Sequence, residues 1–124
     1  MHETILIIDY GSQYTQLIAR KIRELKVYCE VHPFNKINKI ISNKNNICGI
    51  ILSGGPNSVL DNNSPKFNKK ILELKIPILG ICYGLQLLCK EFQGHIGRSS
   101  SREYGHALIT IKKKSKLYMG IKDK

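Results

Sequence analysis

A cysteine between two glycines is the feature of this sequence with the clearest chemical potential. Gly80, Cys82 and Gly84 follow the form G-x-C-x-G between two apolar stretches. This is the pattern of a nucleophile elbow, whose glycines leave room for a sharp turn that exposes the nucleophile above a sheet. At a helix start, unpaired amides and the positive dipole end favour a thiolate. Cys82 is therefore the predicted nucleophile; the alternative is a structural cysteine beside two loop glycines.

A thiolate that attacks a carbonyl carbon creates an oxyanion, which needs hydrogen-bond donors. Loss of one such donor costs roughly 2.7 to 4 kcal/mol of transition-state stabilisation. The amide of Tyr83, directly after the nucleophile, is the usual donor in an elbow. The loop Ser53-Gly54-Gly55-Pro56 offers a second donor, because both glycines are free to take positive φ. Taken alone, however, this loop is an ordinary turn.

Alternating strands and helices must position these two loops. Strands are predicted at residues 4–9, 27–31 (ended by His32-Pro33), 48–52, 77–81, 95–98 and 104–112. Helices are predicted at residues 15–25, at 65–74 with Ser64 as N-cap, and at 85–92 with Gly94 as a left-handed cap, whereas residues 35–46 are weakly helical at best. The pattern predicts a three-layer open parallel α/β sheet, at whose carboxyl edge the loops converge.

Composition limits the other possibilities. A chain of 124 residues that is 42% hydrophobic accommodates one domain. The net charge of +11 suggests nucleic-acid binding, but sixteen lysines face only four arginines, and six of those lysines lie in the last fifteen residues. Base contacts favour arginine and aromatic residues. We therefore expect no nucleic-acid partner.

The remaining cysteines and apolar stretches point to a cytoplasmic protein. Cys29, Cys48 and Cys89 are predicted to be core residues with free thiols, and no C-x-x-C or histidine pair suggests a metal site. The sequence begins with no signal-peptide pattern. Its longest apolar window, residues 76–89, is too short and too interrupted to span a membrane.

Four segments resemble the class I glutamine amidotransferase domains of the GMP synthase kind, in that family's order. They are DYGSQYTQ at residues 9–16, ILSGGP at 51–56, GICYGLQ at 80–86 and REYG at 102–105. The resemblance implies a flavodoxin-like fold and a partial amidotransferase domain over residues 1–124. It also implies that Cys82 attacks glutamine, releasing ammonia for the ATP-dependent amination of XMP to GMP.

The same resemblance implies roles for individual residues. The amides of Gly55 and Tyr83 would stabilise the oxyanion, and Gln86 and Gly54 would bind the substrate glutamine. The turn at residues 9–13 and the segment 102–105 would be scaffold near the site.

The family's catalytic triad also needs a histidine and a glutamate two residues apart, well beyond the elbow. None of His2, His32, His95 and His106 is followed two residues later by Asp or Glu, and His106 is predicted to be a strand residue. We therefore expect an amino-terminal fragment, nearly inactive alone. ATP and Mg²⁺ would bind to a synthetase (ATP pyrophosphatase) domain or subunit, and a homodimer is expected only of the full-length enzyme.

Two alternatives remain open from the sequence. The chain could be a non-catalytic module that regulates ammonia supply by docking on a separate synthetase subunit. It could also be another cysteine hydrolase built on the same elbow, which would act on small esters or amides without preferring glutamine.

Overall fold

A parallel four-stranded sheet forms the centre of the protein. The computed structural model describes residues 3–43, 46–55, 63–94, 117 and 119. The strands are β1 (Thr4–Asp9), β2 (Cys29–Pro33), β3 (Ile47–Leu52) and β4 (Ile78–Gly80), and their spatial order is β2-β1-β3-β4. The α-helices are α1 (Thr15–Glu24), α2 (Ile37–Asn43) and α3 (Tyr83–Glu91), with 3₁₀ helices at Phe34–Lys36 and Lys69–Leu74.

Helices cover both faces of the sheet. On one face, α1 packs through Ala19 against Ile7 and Cys29. On the other, the larger core contains Ile37 of α2, Leu87 of α3 and the strand and 3₁₀-helix residues Leu6, Ile8, Ile50, Leu52 and Ile71. Because β1 is central and covered on both sides, four of its six residues are buried. The predicted three-layer open parallel sheet is therefore confirmed.

The second strand runs further than predicted. β2 continues through His32 and Pro33, which pair with Ile8 and Asp9 of β1. β2 lies at the edge of the described sheet, a position where a proline is tolerated. Val27, predicted to begin the strand, instead donates its amide to the Ile22 carbonyl at the end of α1.

One predicted helix starts later than expected, and one weakly predicted region is more helical than expected. The segment predicted to be helical from Pro65 becomes a 3₁₀ helix only at Lys69, and its N-cap is Asn68 rather than Ser64. The Asn68 side chain accepts a hydrogen bond from the Lys70 amide, at 3.0 Å. The weakly predicted region contains α2, since Ile37 is buried in the core with Ile40 and Ile41 packed alongside.

Two residues differ from their predicted conformation or burial. Gly94 does not take a left-handed conformation; Gln93 does, with φ 62°. A side chain at Gly94 would instead collide with the Cys89 sulfur. Cys48 is exposed rather than part of the core. The β1–β3 register shifts between Thr4 and Ile5, which leaves Cys48 as the extra residue of a bulge.

Three predictions concern residues outside the described ranges. They are the strands at 95–98 and 104–112 and the scaffold segment 102–105. None of the helices within the described ranges has the length and apolar character that crossing a membrane requires.

Candidate active site

The turn between β4 and α3 has the geometry of a nucleophile elbow. Cys82 is exposed and precedes α3 with φ 53° and ψ −117°, a backbone conformation that side chains disfavour. A Cβ at Gly80 would lie 2.8 Å from backbone atoms of Leu85, and one at Gly84 would lie 2.6 Å from the Cβ of Leu52. Both glycines are therefore required by space, as the sequence predicts.

Gly54 and Gly55 of the glycine loop are needed because a side chain at either position would be too close to its neighbours, and not because of their φ angles. Neither Gly54 nor Gly55 has positive φ, although the sequence leaves both free to take it. A Cβ at Gly55 would lie 2.5 Å from the Tyr10 carbonyl oxygen. A Cβ at Gly54 would lie 3.3 Å from that of Cys82 and 3.5 Å from the Ser12 hydroxyl. The loop thus lies between the cysteine and the segment that follows β1.

Hydrogen bonds join the elbow to the glycine loop. The Ile81 amide donates to the Leu52 carbonyl at 2.9 Å, and the Gly84 amide donates to the Ser53 carbonyl at 3.1 Å. The end of β3 therefore supports both sides of the cysteine, and the predicted convergence of the two loops at the carboxyl edge of the sheet is present.

Tyr83 follows the cysteine as the first residue of α3. Its amide has no acceptor within the helix, because the first amides of a helix lack an intrahelical partner. Its side chain is buried, donates a hydrogen bond to the Pro65 carbonyl and packs on Tyr10 with ring centroids 5.4 Å apart. Burial, and secondarily the neighbouring Tyr83, raise the pKa of Tyr10 well above its ordinary value. Tyr10 therefore stays neutral at physiological pH.

A cavity of about 340 Å³ lies against Cys82. One wall is the glycine loop, and the other is the turn that follows β1; its lining residues are Gly11, Ser12, Gln13, Tyr14, Gly54, Gly55 and Cys82. The sequence reasoning treated this turn only as scaffold. Its polar pattern was the available signal, because short polar side chains at such spacing hydrogen-bond to nearby backbone amides.

Hydrogen bonds from the Asp9 side chain shape that turn. Its Oδ1 accepts the amide of Gly11 at 2.8 Å, the amide of Ser12 at 3.2 Å and the hydroxyl of Thr15 at 3.1 Å. The Ser12 hydroxyl in turn accepts the Tyr14 amide at 2.9 Å. The turn is therefore organised by side chains of its own segment.

The predicted substrate-binding residues occupy different places. Gly54 lines the cavity, and Gln86 does not appear among its lining residues in the described part of the chain. Gln86 is half-buried one turn into α3, and its amide donates to the Cys82 carbonyl at 3.1 Å. Its role in binding glutamine stays a prediction.

The other cysteines lie in different environments. Cys29 is buried under α1, Cys89 is half-buried on α3, and Cys48 lies in the exposed bulge. Only Cys82 lines the cavity described above. Within residues 3–43, 46–55 and 63–94, no three His, Cys, Asp or Glu side chains cluster in a way that could hold a metal ion.

Comparison with known proteins gives consistent results. Residues 6–124 match the family "Glutamine amidotransferase class-I". The "GMP synthase [glutamine-hydrolyzing]" of Finegoldia magna is 48% identical over 98% of this chain and 24% of its own length. The protein of the same name from Pseudomonas entomophila is 50% identical over 96% of this chain and 22% of its own. The chain thus spans about a quarter of the length of these relatives.

The fold is also found in solved structures. A protein from Thermoplasma acidophilum, assigned as one subunit of a GMP synthase, superposes with a TM-score of 0.70 and 24% sequence identity. The match covers 99% of this chain and 61% of that one.

Proposed function

Because this chain belongs to the class I glutamine amidotransferase family, we propose that it is the glutaminase portion of a glutamine-hydrolysing GMP synthase. The observation that carries the proposal is Cys82, exposed on a positive-φ elbow beside the glycine loop and open to a cavity of about 340 Å³. The relatives with this name, about half identical over nearly the whole chain, support the choice of GMP synthase within the family.

In the proposed reaction, the Cys82 thiolate attacks the side-chain amide carbon of glutamine. The carbonyl electron pair moves onto oxygen, where the amides of Tyr83 and Gly55 would donate hydrogen bonds. As the carbonyl re-forms, the C–N bond breaks, and the nitrogen leaves as ammonia after taking up a proton. Water then attacks the resulting thioester and releases glutamate, which regenerates the thiolate.

The proton transfers require a base and an acid in addition to Cys82. We propose that the part of the relatives beyond the matched quarter supplies them, and that the 124-residue chain alone hydrolyses glutamine very slowly. ATP and Mg²⁺ would bind to the synthetase portion, which would use the ammonia to aminate XMP. We place this chemistry in the cytoplasm.

The experiment joins this chain to the remaining three quarters of the Finegoldia magna relative. GMP formation is measured with glutamine and, separately, with ammonium as nitrogen donor. Cys82→Ala should lower the glutamine-dependent rate by roughly ten-thousandfold or more and leave the ammonium-dependent rate unchanged. Cys89→Ala, a matched control within the helix that Cys82 precedes, should leave both rates unchanged.

A diazo-ketone analogue of glutamine provides a second measurement. It should alkylate Cys82 in the joined protein, and far more slowly in the 124-residue chain. Preferential labelling of Cys29 or Cys89 would contradict the proposal. If Cys82→Ala has no effect and the chain stimulates a synthetase that uses ammonium, the chain is a docking module. Hydrolysis of simple esters without preference for glutamine would indicate a different cysteine hydrolase.

A further inference from the structure

Three buried or half-buried side chains connect the two walls of the Cys82 cavity. Thr15 begins α1, Ser53 directly follows β3, and both are at most 1% exposed. Their hydroxyl oxygens are 3.0 Å apart, although 38 residues separate them in sequence. The Thr15 hydroxyl is also 3.1 Å from Oδ1 of Asp9. Polar atoms at this depth are costly to leave unpaired, so the arrangement of their protons matters.

Each of these hydroxyls has one proton, which limits the bonds that it can donate. The Ser53 hydroxyl donates to the Ile8 carbonyl at 2.8 Å, and the Ser53 amide donates to the same carbonyl at 3.0 Å. The Ser53 oxygen therefore accepts in its contact with Thr15, whose single proton is shared between Ser53 Oγ and Asp9 Oδ1. The bond to the carboxylate is the charge-assisted one.

The two ends of this chain of hydrogen bonds lie in the two cavity walls. At one end, Asp9 holds the amides of Gly11 and Ser12. At the other, Ser53 immediately precedes Gly54 and Gly55. The walls are also in close contact, since a Cβ at Gly55 would clash with the Tyr10 carbonyl. Displacement of either wall would therefore break the hydrogen bonds between them.

We propose that Asp9, Thr15 and Ser53 are positioning residues, whose linked side chains hold the turn at residues 11–14 against the glycine loop and so fix the Gly55 amide relative to Cys82. The sequence alone predicts only a scaffold role for this turn. The geometric part of the proposal, the position of the two cavity walls, is independent of the proposed function. Its catalytic part, the effect on kcat, rests on the proposed function.

The geometric part is tested by amide hydrogen exchange, measured by NMR on the 124-residue chain. Thr15→Val keeps the shape of the side chain and removes the hydroxyl. Exchange at Ser12 and Ser53, whose amides donate to Asp9 and to the Ile8 carbonyl, should rise roughly fivefold or more, with Ile7 and Ile51 in the strands unchanged. Thr15→Ser retains the hydroxyl and should exchange like the parent chain. The proposal is overturned if Ser53 does not respond, or if its exchange rises only by the same factor as that of the strand amides.

The catalytic part is tested in the joined protein used for the proposed function. Thr15→Val should lower kcat for glutamine-dependent GMP formation roughly tenfold, with a smaller change in KM and the same rate with ammonium. Thr15→Ser should restore kcat, and an unchanged kcat in Thr15→Val would overturn the catalytic consequence. A joined protein that hydrolyses no glutamine, while exchange of the Ser53 amide still responds to Thr15→Val, would refute the proposed function and support the positioning.

Discussion

The elbow at residues 80–84 and the turn at residues 9–15 both join a strand to a helix at the same edge of the sheet, but different forces hold them. The elbow depends on close packing, because Gly84 lies so near Leu52 that no side chain fits there. The turn depends on polar atoms, because Asp9 alone accepts three hydrogen bonds within it. The elbow should therefore be sensitive to added bulk, and the turn to the loss of a polar group.

Bulk added at the elbow should have the largest effect. Gly84→Ala places a methyl group 2.6 Å from the Leu52 Cβ, with backbone atoms also in the way. We expect the free energy of unfolding, measured by urea denaturation, to fall by about 3 kcal/mol or more. Gly49→Ala is the matched control, since its Cβ would meet only the flexible end of the Ile5 side chain, at 3.0 Å, and one more distant atom. Equal losses in the two variants would contradict this account of the elbow.

Removing a polar group beside the turn should have an intermediate effect. Ser53→Ala deletes a fully buried hydroxyl that bonds with Thr15 and the Ile8 carbonyl. The free energy of unfolding should fall by about 1.5 kcal/mol. Ser42→Ala removes an exposed hydroxyl that bonds only within α2, and should cost less than about 0.5 kcal/mol. If urea denaturation finds Ser42→Ala the more damaging change, the turn is not held as described.

The strain at Cys82 can be measured by comparing two replacements. At φ 53°, Cys82→Gly should be more stable than Cys82→Ala by about 1 kcal/mol, because glycine accepts positive φ freely. In the interior of α3 the order should reverse, with Cys89→Ala more stable than Cys89→Gly by about 1 kcal/mol. The same order at both positions in urea denaturation would show that the elbow stores no strain.

The aromatic contact between Tyr10 and Tyr83 links the turn to the elbow. Its effect on stability should be the smallest of the four and should depend on pH. The pKa of Tyr10 is raised in the folded state, so its contribution to stability is complete below the unfolded value of about 10 and is lost as pH rises above it. Between pH 10 and 10.5 the parent chain should lose about 0.4 kcal/mol relative to Tyr10→Phe. If the free energies of unfolding of the two proteins, measured by urea denaturation, fall in parallel over this pH range, the predicted role of Tyr10 is wrong.

The sequence predicts the structure best where only one or two residue types can occupy a position. The G-x-C-x-G pattern located the elbow because such close packing admits only glycine, and the continuous apolar run of β1 located the central strand. Roles that depend on hydrogen bonds were harder to see. The hydrogen bond between Thr15 and Ser53 joins residues 38 apart in sequence, and no local sequence pattern predicts which distant hydroxyl a threonine will contact.

Errors in predicted boundaries had specific tertiary causes. The sequence predicts that β2 ends at His32-Pro33, but its position at the edge of the sheet accommodates the proline. It predicts Ser64 as a helix cap, but Asn68 performs that function four residues later. It predicts Cys48 in the core because of its apolar neighbours, and the bulge in the β1–β3 register turns it outward. In each case neighbouring strands or side chains decided between options that local preference left close in energy.

The hydrogen bond from the Gly84 amide to the Ser53 carbonyl has a mechanical consequence. It attaches the first turn of α3 to the residue that leads into the glycine loop, and the same amide donates to the Ile81 carbonyl on the other side of Cys82. A displacement of Ser53 would therefore act first on the start of α3. Contacts that stiffen this helix would, by the same attachment, stiffen the loop beside Cys82.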